Sequence, residues 1–114
     1  MSSESVKIID SHQNIVATAK VEYDGEYYSG LVNLDRMPQL LRSKFEAFES
    51  LLNDMILSLI DEIEEQIKIN LFTVVFDDGR KFTLKDLQIY PNEGIVWFRL
   101  EQGETRQHKY EATL

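Results

Sequence analysis

The chain has 114 residues, with 12 Lys plus Arg against 20 Asp plus Glu, a net charge of −8, and no cysteine. That length suits a single domain over residues 1–114, and at this size a core can form without metal or disulfide staples. The composition argues against a transmembrane helix, since no run of ~18 apolar residues occurs, against disulfides, thiolate nucleophiles and Cys-based zinc sites, and against nucleic acid, because an acidic chain repels phosphate backbones.

Residues 1–5 are polar and are expected to fray. They also lack the basic stretch and apolar core of a signal peptide, so a cytoplasmic protein is expected. Val6 to Ile9 is a short apolar run that ends at the turn-like Asp10-Ser11-His12-Gln13-Asn14. Ile15, Ala17, Ala19, Val21 and Tyr23 then alternate with Val16, Thr18, Lys20 and Glu22, which is the period of a half-buried strand. Asp24-Gly25 separates it from a second strand-like stretch, Tyr27 to Leu34, and Asp-Gly between two such runs predicts a hairpin.

The longest periodic signal follows. Pro38 suits a first helical turn, with Asp35 as a cap just upstream. From Leu41 through Phe45, Phe48, Leu52, Met55, Ile56, Leu59, Ile60, Ile63 and Ile67, apolar residues recur every three or four positions. At 100° per residue they fall within an arc of roughly 140°. No Gly or Pro interrupts the pattern, which predicts one continuous helix from Pro38 to Lys68.

Beyond Lys68 the pattern is again that of strands. Leu71 to Phe76 is apolar on both faces, and Asp77-Asp78-Gly79 turns the chain. Phe82 and Leu84 then take one parity and Leu87 and Ile89 the other, so a bulge is expected near Lys85-Asp86. After Pro91-Asn92-Glu93-Gly94 comes another apolar strand, Ile95 to Leu100. The tail, about 103–114, is expected to be flexible or to add one edge strand near Lys109 to Ala112.

Two hairpins share a grammar. An aromatic precedes Asp-Gly at Tyr23 and at Phe76, and the triplets Leu31, Leu34, Pro38 and Leu84, Leu87, Pro91 have equal spacing. Both a duplicated hairpin and two independent Asp-Gly turns fit this echo. The stretch Asp24 to Leu31 also resembles the first Sm-like RNA-binding motif, with an aromatic three residues and a Gly five residues after the turn Gly. The likeness covers fewer than 20 residues and has no second motif. With a helix intervening and the wrong charge for RNA, the stretch is read as a hairpin and not as that family.

These elements predict an α+β domain in the order β-β-β-α-β-β-β, with two antiparallel hairpin units flanking and packed by one long central helix. A 31-residue helix would measure about 46 Å, whereas a compact domain of this length is about 34 Å across. Its overhanging apolar stripe therefore predicts a homodimer. The expected interface is Leu51, Leu52, Met55, Ile56, Leu59 and Ile63.

The chemical repertoire is thin. His12 and His108 lack metal-ligand spacing, the five glycines form no phosphate loop, and neither catalytic nor cofactor-binding residues are assigned. Residues 45–67 hold no Lys or Arg but many carboxylates. Of these, Asp61, Glu62 and Glu65 are weak candidates for a divalent-cation site, crowded at a helix C-terminus where the macrodipole disfavours them. Arg80, Lys81 and Lys85 form a small basic group suited to protecting a sheet edge or meeting a neighbour's acidic helix.

Tyr23, Tyr27, Tyr28, Tyr90, Trp97 and Tyr110 could pack across strands or line a ligand groove. The expected function is a non-catalytic homodimeric interaction or regulatory module that could also engage another protein. The alternatives are a binder of a small apolar ligand between helix and sheet, or a weak divalent-cation sensor.

Overall fold

The computed structural model describes residues 3–101. Six antiparallel strands close on themselves into one barrel: β1 (Glu4–Ile9), β2 (Ile15–Tyr23), β3 (Tyr28–Asn33), β4 (Thr73–Phe76), β5 (Lys81–Tyr90) and β6 (Ile95–Leu100). The strand order around it is β1-β2-β3-β6-β5-β4. This overturns the expected α+β sheet packed by a long central helix. The first and last strands of each half find each other, β1 with β4 and β3 with β6, so the wall closes and no open sheet face is left for a helix to lie across.

Inward positions carry the core. Val6, Ile8, Val21, Val74, Phe76, Ile89, Val96 and Phe98 are all buried. Val16 and Ala17 are buried together because a register shift between Ile8 and Ile9 places an extra β2 residue opposite β1. The parity switch in β5 has the same cause. Leu84 pairs with Leu100 and Asp86 with Arg99, which leaves Lys85 as the bulge. Glu4 and Ser5, expected to fray, are paired in β1 with Val21 and Lys20.

The Asp24-Gly25 hairpin forms, with Tyr23 opposite Tyr28 across the turn. The strand order relates β1-β2-β3 to β4-β5-β6 by a topological twofold, which would superpose the β2-β3 hairpin on β5-β6. The sequence echo instead matches β2-β3 with β4-β5, so it reflects shared turn chemistry and not the symmetry of the barrel.

The helical segment between β3 and β4 is not one rod. Helix α1 (Gln39–Asn53) is 15 residues long, a single 3₁₀ turn follows at Leu57–Leu59, and α2 covers Ile60–Lys68. At about 22 Å, α1 is shorter than the domain, and the length argument for a covering twin lapses. The break is a Schellman termination. Ile56 N–H donates to Leu51 O (2.9 Å) and Met55 N–H to Leu52 O (3.1 Å), with Met55 left-handed at φ 60°.

Glycine is the usual residue at that position, and no Gly or Pro marks this one. Met55→Gly is therefore expected to raise stability by about 0.5–1 kcal/mol, since it removes a left-handed side-chain clash for a modest cost in unfolded-chain entropy. Urea denaturation would show the gain. At the other end of α1, Pro38 is the N-cap and no side-chain oxygen caps the helix. Asp35 instead takes part in a turn, its N–H donating to Asn33 Oδ1.

α1 buries Leu41, Phe45, Phe48 and Glu49. Phe45 packs against Phe72 (6.2 Å between ring centroids) and Phe48 against Tyr90 (6.4 Å). The Glu49 Oε1 accepts the Asn92 N–H at 3.1 Å, tying α1 to the β5-β6 turn, while its buried Oε2 has no partner.

Candidate functional site

Three regions draw chemistry-bearing side chains together. The first is the helical joint, where Met55, Ile56, Leu57 and Leu59 are 71%, 40%, 57% and 48% exposed. Of the expected interface residues, Met55, Ile56 and Leu59 lie in this exposed group, and Leu51, Leu52 and Ile63 are half-buried beside it. Leu57 was not expected here, although it fell off the main arc of the helical pattern. That phase departure was the available signal.

The break also reverses the electrostatics of the acidic residues. Asp61 and Glu62 sit in the first turn of α2, where the helix dipole favours carboxylates by roughly 0.3–1 kcal/mol each, and Lys68 occupies the last turn. For Asp61 and Glu62 the expectation of crowding at a C-terminus is thereby corrected, whereas Glu65 does lie in the last turn of α2. Asp61, Glu62 and Glu65 are all exposed, and among the described residues no three His, Asp or Glu side chains converge as metal ligands.

The second region is a partly enclosed cleft of about 210 Å³ between α2 and β5. Ile67, Phe72, Leu84 and Leu87 form its apolar floor, and Leu71 flanks it. Of the tyrosines and Trp97 expected to line a groove, none among the described residues borders this cleft.

Those aromatics belong to the third region, the barrel wall. Tyr28 stacks on Phe98 (5.2 Å, 12° between planes) and meets Tyr23 at 4.7 Å and Phe76 at 5.5 Å. Burial, reinforced by Glu4, pushes the Tyr28 phenol up, and burial does the same to Tyr90, with Glu93 and Glu49 adding to it. Neither is a phenolate nucleophile at neutral pH. Outside the wall, Arg99 donates through Nε to Asp86 Oδ2 (2.8 Å) and lies over the Tyr27 ring, which meets Trp97 edge-on at 5.5 Å.

Arg80 was expected to protect a sheet edge with Lys81 and Lys85. In the closed barrel β4 is paired on both sides, so the β4-β5 hairpin presents no such edge. Arg80 instead bridges Asp78 (2.8 Å) and Glu4 (3.0 Å) and covers the Phe76 ring at 4.7 Å. Lys81 is exposed and Lys85 sits in the bulge. His12 is exposed in the β1-β2 turn, while His108 and Tyr110 lie outside the described residues.

Carboxylates in the turns are held in their charged form. The backbone N–H groups of Tyr27 and Glu26 hold the Asp24 carboxyl below the ordinary 3.8, and the Arg80 side chain does so for Asp78. Both folded-state values are depressed, so their stabilisation is full above about pH 5 and fades as pH falls below about 4. In urea titrations from about pH 5 down to about pH 2, Asp24→Asn/Asp78→Asn is expected to show a flatter loss of stability than the parent. An equally steep loss would assign acid sensitivity to other carboxyls.

Among the described residues no helix is long and apolar enough to cross a membrane. Comparison with family models, with curated proteins and with solved structures finds no match for this chain.

Proposed function

We propose that this protein is a non-catalytic interaction module of the cytoplasm that pairs with a second copy of itself through the helical joint. The observation that carries this reading is the exposure of Met55, Ile56, Leu57 and Leu59 within five consecutive positions. Contiguous apolar surface beyond a few hundred Å² is uncommon on a monomer and marks contact surfaces. Large apolar side chains at a joint held open by a left-handed methionine are available to a partner and contribute little to their own core. A second copy is the simplest occupant, because a twofold contact lets one patch cover itself. The lack of cysteine agrees with a reducing compartment.

Such pairing brings the exposed Asp54, Asp61 and Glu62 of one copy toward those of the other. Dimerisation is therefore expected to tighten as salt rises, the opposite of association driven by unlike charges. Sedimentation equilibrium should give twice 13.3 kDa for the parent and 13.3 kDa for Leu57→Asp/Leu59→Asp, with unchanged circular dichroism because both side chains are exposed. A parent that sediments as 13.3 kDa at tens of micromolar overturns the reading. Association that weakens with salt would point instead to a basic partner protein.

A further inference from the structure

We infer that the cleft between α2 and β5 is a binding site for an uncharged aromatic molecule of one or two fused rings, about the size of phenol to indole. The inference is independent of the dimer surface and shares no residue with it.

Two backbone irregularities border this one cleft. Leu71 is left-handed at φ 53°, a conformation that costs a side-chain-bearing residue roughly 1–2 kcal/mol, and yet its side chain is 67% exposed at the cleft wall. Across from it, the β5 bulge at Lys85 offsets Leu84 from Leu87 so that both side chains reach the floor. Bulges and strained non-glycine residues gather where a strand or loop must be re-aimed toward a ligand. If only chain direction mattered at position 71, glycine would serve better there. A leucine held in that conformation supplies an apolar wall.

Size and charge specify the occupant. An apolar cavity of about 150 Å³ accepts benzene, so about 210 Å³ accommodates one substituted ring or a small fused pair. Groups of both signs border the cleft, Glu64 and Glu101 beside Lys68, and Asp86 is already paired with Arg99. A border of mixed sign around an apolar floor favours neither an anion nor a cation. Thr83 also borders the cleft, and a threonine hydroxyl is a group that can accept from a ring N–H or O–H.

The test is a methyl-detected NMR titration of the full chain with indole, indole-3-acetate and tryptamine. For about nine heavy atoms a Kd of about 0.1–1 mM is expected, with shifts concentrated in the methyl groups of Ile67, Leu71, Leu84 and Leu87. Indole should bind at least as tightly as its charged relatives. Leu71→Gly and Leu71→Asn both suit a left-handed backbone, so they should melt no lower than the parent yet bind indole about tenfold more weakly.

Unmoved cleft methyls at about 2 mM indole would overturn the site, since even at the weak end of the expected range about two thirds of the protein would then be bound. So would an unchanged Kd in both Leu71 variants. Nuclear Overhauser contacts from these methyls to residues 102–114 or to a second copy would name another occupant and overturn it as well. Clearly tighter binding of either charged relative would overturn the uncharged class.

Discussion

Gly30→Ala is expected to destabilise the barrel by at least about 2–3 kcal/mol, near the top of the range for overpacking substitutions. Gly30 sits opposite Val21 in the β2-β3 ladder. A Cβ there would lie 1.8 Å from the Lys20 carbonyl oxygen, 2.8 Å from its carbon and 2.9 Å from the Val21 Cα. All three are backbone atoms, so no side chain can swing aside and the two strands must separate. Because β3 also pairs with β6, a displaced β3 disturbs a second ladder and with it the closure of the wall. Gly25→Ala is the control. It has open space around the position but a φ of 104°, so it should cost only about 1 kcal/mol from backbone strain. Equal losses at the two sites in urea denaturation would show that the close approach of β2 and β3 is not what position 30 protects.

Phe98→Ala should be comparably severe, at about 3–5 kcal/mol. The ring is fully buried and stacks on Tyr28, which itself contacts Phe76, while Phe76 meets Phe82 edge-on at 5.7 Å. Removing it leaves a ring-sized void among aromatic neighbours that stiff strands cannot close. Tyr28→Phe should be far milder, because the phenol is only part-buried and the stack survives. The Phe98 variant should also lose near-UV circular dichroism from the tyrosine cluster. A loss under about 1 kcal/mol would mean the barrel interior can collapse around the hole.

Local patterns along the chain carried several features faithfully. The parity change between Phe82-Leu84 and Leu87-Ile89 located the β5 bulge, because a bulge is the one local event that flips which face of a strand is buried. Asp24-Gly25 located its hairpin, because glycine accepts the positive φ the turn requires. The helical stripe held where Leu41, Phe45, Phe48 and Ile67 are buried, yet at the exposed Met55, Ile56 and Leu59 it concealed the break. Met55 takes the left-handed position that Gly usually marks, so nothing in residue type announced that the helix stops there. That one residue misled the length argument and the dipole argument for Asp61 and Glu62, while the fold class turned on the pairing of β1 with β4 and β3 with β6.

The candidate site divides the same way. Met55, Ile56 and Leu59 were expected at an interface from periodicity, whereas Leu57, off the main arc, stands exposed beside them in the 3₁₀ turn. The α2-β5 cleft was illegible. It needs Leu71 and Leu84, thirteen positions apart, to face one another across a helix end and a bulge.

Residue order by itself determined the strands, their turns and the bulge, because each depends on neighbours within a few positions. Tertiary structure alone decided that β1 meets β4 and β3 meets β6, and that Gly30 must lack a side chain. Those outcomes turn on the energy of contacts between distant segments, where barrel closure and burial outweigh what any local pattern prefers.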